Sequence, residues 1–372
     1  MKNGRKKNDM QTESLIQKIQ SFMQESETDL VAIGPTTSMR YLLGFAPHAD
    51  ERTCLLLIDR QSARMVVPDL NKEEVASHTS LKDLIGWSDS QGPFNALQKA
   101  LAGMPTPRKI AVDGAMRADY LLKLQSVMRA EQTVDAADLI NPLRVCKSTD
   151  EIEALARSAA QADRAMQAAM DACRPGVSEA EVAWATEAAF RQDGAEEVSF
   201  TLIASGPNGA YPHHHSGERK LQTGDAIIID IGASLNGYKS DITRMVHLGK
   251  PTAEFLNAYN AVLAANQNAM KAVKPGVTAE EIDHCARTTL TEAGYGPYFT
   301  HRTGHGLGLD SHEPPWIMAG DKTVLKEGMV FSIEPGAYLE GKFGIRIEDI
   351  VVVTASGVRN LSGFDHALVV KE

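Results

Sequence analysis

The stretch Gly224-Asp225-Ala226-Ile227-Ile228-Ile229-Asp230-Ile231-Gly232-Ala233, continued by Ser240-Asp241-Ile242-Thr243-Arg244, has a counterpart about a hundred residues further on. There the chain reads Gly328-Met329-Val330-Phe331-Ser332-Ile333-Glu334-Pro335-Gly336-Ala337, and then Gly344-Ile345-Arg346-Ile347-Glu348-Asp349. Each half starts at a glycine, crosses an apolar strand-like run, and reaches an acid followed two residues on by Gly-Ala. Asn236-Gly237 lies between Asp230 and Asp241, and Gly341 between Glu334 and Glu348. These are turn residues, so each half reads as a hairpin whose two acids lie roughly opposite each other on one face. Like charges so placed in an apolar strand pair destabilise it unless a cation neutralises them. Two such pairs facing each other make a four-carboxylate cage, enough for two divalent metals. Any one of these acids taken singly reads equally well as a turn or strand-end carboxylate. The duplication is what argues for the cage.

A fifth candidate ligand lies between the halves, in Thr300-His301-Arg302-Thr303-Gly304-His305-Gly306-Leu307-Gly308. Glycines on both sides of His305 leave room for its imidazole to approach a metal. Hard oxygens with one nitrogen suit Mn, Co, Fe or Zn better than a thiolate-seeking metal. The same glycines lack the strand–GxGxxG–helix context of a dinucleotide loop.

The 372-residue chain is long enough for two domains. A hydrophobic content of 43% with 23% charged residues is that of a soluble globular protein. A net charge of −10 argues against nucleic acid or an anionic membrane as the main partner. No run approaches the roughly 20 apolar residues of a membrane span. The basic start, Met1 to Asn8, is not followed by an apolar segment, so no secretory signal is expected. Cys54, Cys146, Cys173 and Cys285 show no CxxC spacing, which points to reduced thiols and a cytoplasmic location.

Taken in order, residues 9–25 have helical spacing, and strand-like runs follow at 30–34, 53–59 and 64–68. Leu84-Ile85-Gly86-Trp87 is too short to assign. Helices are expected near 71–78, 93–102 and 117–128, with strands at 110–112 and 132–135. This alternation implies a small α/β domain with a partly parallel sheet over residues 1–142. Asn141 to Lys147 reads as the join to a second domain, 143–372. In that domain Ser148…Glu151 has capping-box spacing and opens a helix to about Cys173. Arg174-Pro175-Gly176-Val177 ends it, and Ser178…Glu181 caps a helix to about Gln192. The sequence repeats the device: a helix near 253–273, Lys274-Pro275-Gly276-Val277, then Thr278…Glu281 capping a helix to about Glu292. A duplicated unit of two helices and a hairpin packs as two pseudo-symmetric halves, sheet inside and helices outside, with the cage at the pseudo-axis.

These motifs resemble the pita-bread metallopeptidases: methionine aminopeptidase, aminopeptidase P and prolidase, with creatinase as a metal-free relative. The resemblance covers most of residues 148–372 and rests on Asp230…Asp241, Gly-His305-Gly-Leu-Gly, Ser-Ile-Glu334-Pro-Gly and Arg-Ile-Glu348-Asp. Tyr41-Leu42-Leu43-Gly44-Phe45 looks like part of the extra N-terminal domain of the prolidase, aminopeptidase P and creatinase branch. The fold it implies is α+β, a pseudo-symmetric pita-bread domain behind a smaller α/β domain. By this resemblance Asp230 binds one metal, Asp241 and Glu348 bridge two, and His305 and Glu334 complete the second. The activity implied is two-metal hydrolysis of an Xaa-Pro bond in a small peptide, most simply with manganese, by a homodimer. Glu334 is the expected proton acceptor, while His312 and His213 match the family's substrate-flanking histidines. His213-His214-His215 reads also as a solvated loop tract, and His301 as a supporting or a packed histidine. Arg346 either supports the site or forms an ordinary strand-face ion pair.

One position departs from the pattern. Prolidases resembling this chain carry an arginine after the His-Glu-x-Pro segment that grips the dipeptide carboxylate; here Trp316 stands in that place. Its absence favours longer Xaa-Pro substrates, with Trp316 as part of a wall for the proline ring. A metal-dependent lyase or other small-molecule enzyme on this scaffold, or a non-enzymatic binding module, are the competing readings. Intact ligands weigh against the last.

Overall fold

A computed structural model describes the chain from Lys2 to Glu372, with side chains from Met10 onward. The side chains of the basic Met1–Asn8 start lie outside the described residues. The chain divides into two compact units, Met1–Arg144 and Val145–Glu372.

The first unit has helices α1 (Lys2–Glu25), α2 (Thr37–Leu43), α3 (Asp69–His78), α4 (Phe94–Leu101), α5 (Ala118–Val127) and α6 (Ala137–Arg144). Its strands are β1 (Leu30–Ile33), β2 (Leu55–Asp59), β3 (Ala63–Pro68), β4 (Leu84–Trp87), β5 (Lys109–Val112) and β6 (Gln132–Asp135), in the order β4-β3-β2-β1-β5-β6. The pairings β1·β5, β5·β6 and β3·β4 are parallel, whereas β1·β2 and β2·β3 are antiparallel. Leu15, Ile16, Ile19 and Met23 put the buried stripe of α1 on one face of this sheet. Leu84–Trp87 is a strand because β3 supplies its pairing, which four residues cannot announce by themselves. The stretch Asn141 to Lys147, expected as the join, begins inside α6, which contains Pro142, and the division between the units falls within it; buried Leu139 and Ile140 hold that helix in the core.

The second unit shows the duplication. α7 (Thr149–Ala172) and α8 (Glu179–Gln192) precede one sheet, and α9 (Ala253–Ala272) and α10 (Ala279–Glu292) precede the other. Capping boxes open α7 at Ser148, α8 at Ser178 and α10 at Thr278. Gly176 and Gly276 take φ 87° and 93°, a left-handed conformation that costs a glycine little. Each donates its N–H at matching places, to Leu221 O and Leu325 O.

The first sheet comprises β7 (Glu197–Ser205), β8 (Ala226–Leu235), β9 (Tyr238–Lys239) and β10 (Ile242–Leu248). The second uses β11 (Gly304–Gly306), β12 (Glu313–Ile317) and β13 (Val330–Ile333); β14 (Gly336–Leu339) and β15 (Phe343–Arg346) form a separate ribbon. β16 (Asp349–Thr354) and β17 (Gly357–Asn360) complete the second sheet, and β18 (Val369–Lys371) returns to pair parallel with β10. Strand alternation sorts the faces. Ile227, Ile229 and Ile231 pack with Met166 and Phe190 of α7 and α8. Phe331 and Ile333 pack with Val262, Ile282 and Leu290 of α9 and α10. The alternate residues Asp230 and Glu334 therefore lie on the opposite faces of their strands, and there they line a cavity.

Candidate active site

This cavity is about 890 Å³ in volume, and its lining includes Asp230, Asp241, His305, Glu334 and Glu348 together with His213, His301, Arg302, His312 and Arg346. All five expected metal ligands thus meet in one place. Trp316 is not among the lining residues.

The backbone places the acids in two ways. Asp230 lies in mid-sheet, opposite Leu202 on one side and Thr243 on the other. Asp241 follows β9 and, in the register that pairs Ile242 with Ile231, falls opposite Gly232. The two aspartates are therefore diagonal neighbours rather than directly opposed, a two-residue offset from expectation. Gly232 makes room, because a Cβ there would stand 2.5 Å from Ser240 O. In the second half Ile333 pairs with Asp349 and Gly336 with Arg346. Glu334 and Glu348 occupy the gap between these pairings, where the chain leaves one sheet for the ribbon, and both turn inward. Asn266 of α9 spans this break, donating to Ile333 O at 3.0 Å, Ile347 O at 3.3 Å and Asp349 Oδ2 at 3.1 Å.

His305 is held so that one nitrogen faces the acids. Its Nδ1 lies 3.1 Å from Gly306 O, a bond that requires hydrogen on Nδ1 and leaves Nε2 as the ligand atom. Nε2 is 3.3 Å from Glu334 Oε1 and 3.8 Å from Asp241 Oδ2. The flanking glycines are required by close approach: a Cβ on Gly304 would come within 1.9 Å of Ser332 O, and one on Gly306 within 2.2 Å of Pro314 O.

The donor set fits a divalent metal. Ligand atoms of Asp241, His305 and Glu348 all lie within 4.8 Å of one another. Asp230 Oδ1 is buried with no hydrogen-bond partner, an orphaned acceptor of the kind a cation satisfies. Burial, then the neighbouring carboxylates, push Asp241 and Glu348 well above the usual carboxylate range. Burial also opposes ionisation of Glu334, but the hydrogen bond and charge of His305 outweigh it and hold that carboxyl at about 2. Four inward carboxylates in one buried cluster cannot all be charged without compensating positive charge.

Around this set the supports are explicit. Thr243 Oγ1 donates to Glu348 Oε2 at 2.8 Å, and Ser332 Oγ to Glu334 Oε1 at 3.2 Å. Arg346 is buried, forms a short ion pair with Asp230, donates to Tyr338 Oη at 2.7 Å, and reaches Thr243 Oγ1 at 3.3 Å. His301 joins the same network, with Nε2 2.8 Å from Tyr338 Oη. His214 is fixed by buried Glu179 at 2.7 Å, which anchors the loop that brings His213 to the cavity. His312 packs against His305 with ring centroids 4.0 Å apart. The adjacent Glu313 is anchored by Lys147 at 2.6 Å, an ion pair buried on both sides. Burial and the nearby His305 and Arg302 lower His312 to about 4, so its ring is neutral at pH 7.

Tyr338, Thr243, Asn266 and Arg302 are absent from the sequence-based site. Arg302 had a signal, since it adjoins His301 in the His305 segment. The others depend on strands and helices distant in sequence.

Residues 153–355 match Metallopeptidase family M24, and residues 16–146 match the Creatinase/Prolidase N-terminal domain. The chain is 38% identical over 346 residues to a probable dipeptidase PepE of Mycobacterium tuberculosis, covering 91% of each. It is 35% identical over 354 residues to an Xaa-Pro dipeptidase of Pyrococcus furiosus, covering 95% of this chain and 99% of that one. The crystal structure of the prolidase from Pyrococcus horikoshii superposes with a TM-score of 0.89 at 33% identity, covering 96% of this chain and 100% of that one. The α+β architecture, with its duplicated pita-bread unit, is that of these prolidases. By its matched residues and by its relatives, the chain belongs to metallopeptidase family M24 and is a metal-dependent hydrolase of the branch carrying a creatinase/prolidase N-terminal domain.

Proposed function

We propose that the protein hydrolyses the Xaa-Pro bond at the amino end of dipeptides or short peptides, using two divalent ions held by Asp230, Asp241, His305, Glu334 and Glu348. The convergence of those five residues in one cavity carries this reading. Four oxygen-donor side chains and one imidazole suit manganese among the candidate ions. When bound, the two ions supply Lewis acidity at the scissile carbonyl and make water a competent nucleophile near neutral pH.

The protein's own side chains do the rest. Glu334, steadied by Ser332, accepts the proton of the attacking water. His312 donates to the carbonyl oxygen. Arginine only donates, so the 3.5 Å contact from Arg302 Nη2 to His312 Nδ1 places the ring hydrogen on Nε2. His213 is the second donor to the developing oxyanion. Proline lacks the amide hydrogen that other residues carry at this bond, so the site needs no acceptor for it. Phe200, Leu202 and Pro212 give the cavity an apolar wall for the ring.

Metal-loaded protein is expected to release free amino acid from Ala-Pro or Ala-Pro-Ala at least about tenfold faster than from Ala-Ala, a difference of about 1.4 kcal/mol in transition-state binding. Chromatography of the products checks it. Equal cleavage of Ala-Ala, or no cleavage of any Xaa-Pro substrate, would contradict the reading.

A further inference from the structure

Two arginines line the cavity, and they are used differently. Arg346 is committed to Asp230, Tyr338 and Thr243. Arg302 is half-buried, and among the described residues no carboxylate forms an ion pair with it; the carboxylate whose charge it feels is Glu334. Its guanidinium carbon lies 4.6 Å from the centroid of the Trp316 ring. A guanidinium held against an aromatic ring by cation–π attraction keeps N–H groups available to bind an anion bidentately. Apart from the long contact to His312, those donors remain available to a molecule in the cavity.

Charge balance sharpens the point. Four ligand carboxylates against two divalent ions leave the metal cluster with no surplus positive charge. A substrate anion entering this cavity must find its cation elsewhere. Trp316, on β12, occupies the place where resembling prolidases carry the carboxylate-gripping arginine, yet it braces an arginine from the loop before β11, beside His312. The cation is relocated, not lost.

We infer that Arg302, braced on Trp316, binds the free α-carboxylate of a dipeptide and makes the enzyme prefer dipeptides to longer or amidated peptides. The inference rests on the Xaa-Pro reading above, and it reverses the preference for longer substrates expected from Trp316 alone.

The test compares Ala-Pro, Ala-Pro-NH2 and Ala-Pro-Ala on the metal-loaded full chain. The wild type is expected to favour Ala-Pro. Arg302→Gln should lower kcat/KM for Ala-Pro by about a hundredfold more than for Ala-Pro-NH2, with the extra loss mainly in KM, while any loss common to both substrates reports the Arg302–His312 contact. Arg302→Lys should recover part of the loss as a point charge, and Trp316→Ala should fall between the two. The amide substrate is the internal control for folding and metal content. Equal loss on acid and amide in the glutamine variant, or no loss on Ala-Pro, overturns the assignment to Arg302. Failure of the wild type on all three substrates overturns the Xaa-Pro reading itself, before any variant is compared.

Discussion

Glu348→Ala is expected to abolish hydrolysis, lowering kcat/KM by about a thousandfold or more, on the order of 4 kcal/mol of transition-state stabilisation. Glu348 is 1% exposed, accepts from Thr243, and shares its cluster with Asp241 and His305. No solvent-held carboxylate can replace a ligand at such a depth. Two readouts separate loss of metal from loss of fold. In the wild type a chelator should lower the melting temperature, because metal binds the folded chain alone; saturation at 100 times Kd is worth about 2.7 kcal/mol. The variant should melt at the same temperature with and without chelator, and no lower than the chelated wild type, since one of the mutually repelling buried acids is gone. A variant retaining a tenth of wild-type activity would remove Glu348 from the ligand set.

Asp349→Ala is expected to cost about 3–5 kcal/mol of stability, the second large effect. Asp349 is wholly buried and accepts from Arg244 at 2.8 Å, His366 at 2.7 Å, Asn360 at 3.0 Å and Asn266 at 3.1 Å. Burial penalises its charge, yet those hydrogen bonds, with Arg244 and His366, hold it far below the usual carboxylate range. Removing it strands the Arg244 guanidinium in the core, where breaking a buried pair costs far more than the pair contributes net. Urea unfolding of chelated protein isolates this effect from metal binding. Because Arg244 also donates to the backbone carbonyl of Glu348, the variant should bind metal more weakly even when folded. A change below about 1 kcal/mol would mean that the network is not a structural keystone.

Much of this site was legible because its residues recur. Asp230…Asp241 and Glu334…Glu348 stand out by repetition, and Ser178 and Thr278 announce their helices by local chemistry that needs no tertiary context. What depended on distant pairing was hidden. The offset that makes Asp230 and Asp241 diagonal neighbours comes from the register of β9 and β10 on β8, which the turn residues Asn236-Gly237 do not specify. β7 was not anticipated: Glu197–Ser205 shows no clean alternation, because only its last three residues are buried. Arg302 belongs to the His305 segment, where the sequence alone gives it no role. Its role emerges only when β12 brings Trp316 beneath it, and β12 pairs with β11 through an irregular register between His305 and Gly306. Sequence alone correspondingly suggests Trp316 as a wall, whereas it lies outside the cavity lining and behind an arginine.

On the proposed reading, the five-residue cage works as a two-ion centre. Hydrolysis of Ala-Pro measured while divalent metal is added back to chelated protein, with bound ions counted per chain, tests it most directly. Activity should be absent from the metal-free protein and reach its maximum at about two ions per chain. Full activity in the chelated protein, or maximal activity with no ion bound after reconstitution, would contradict it.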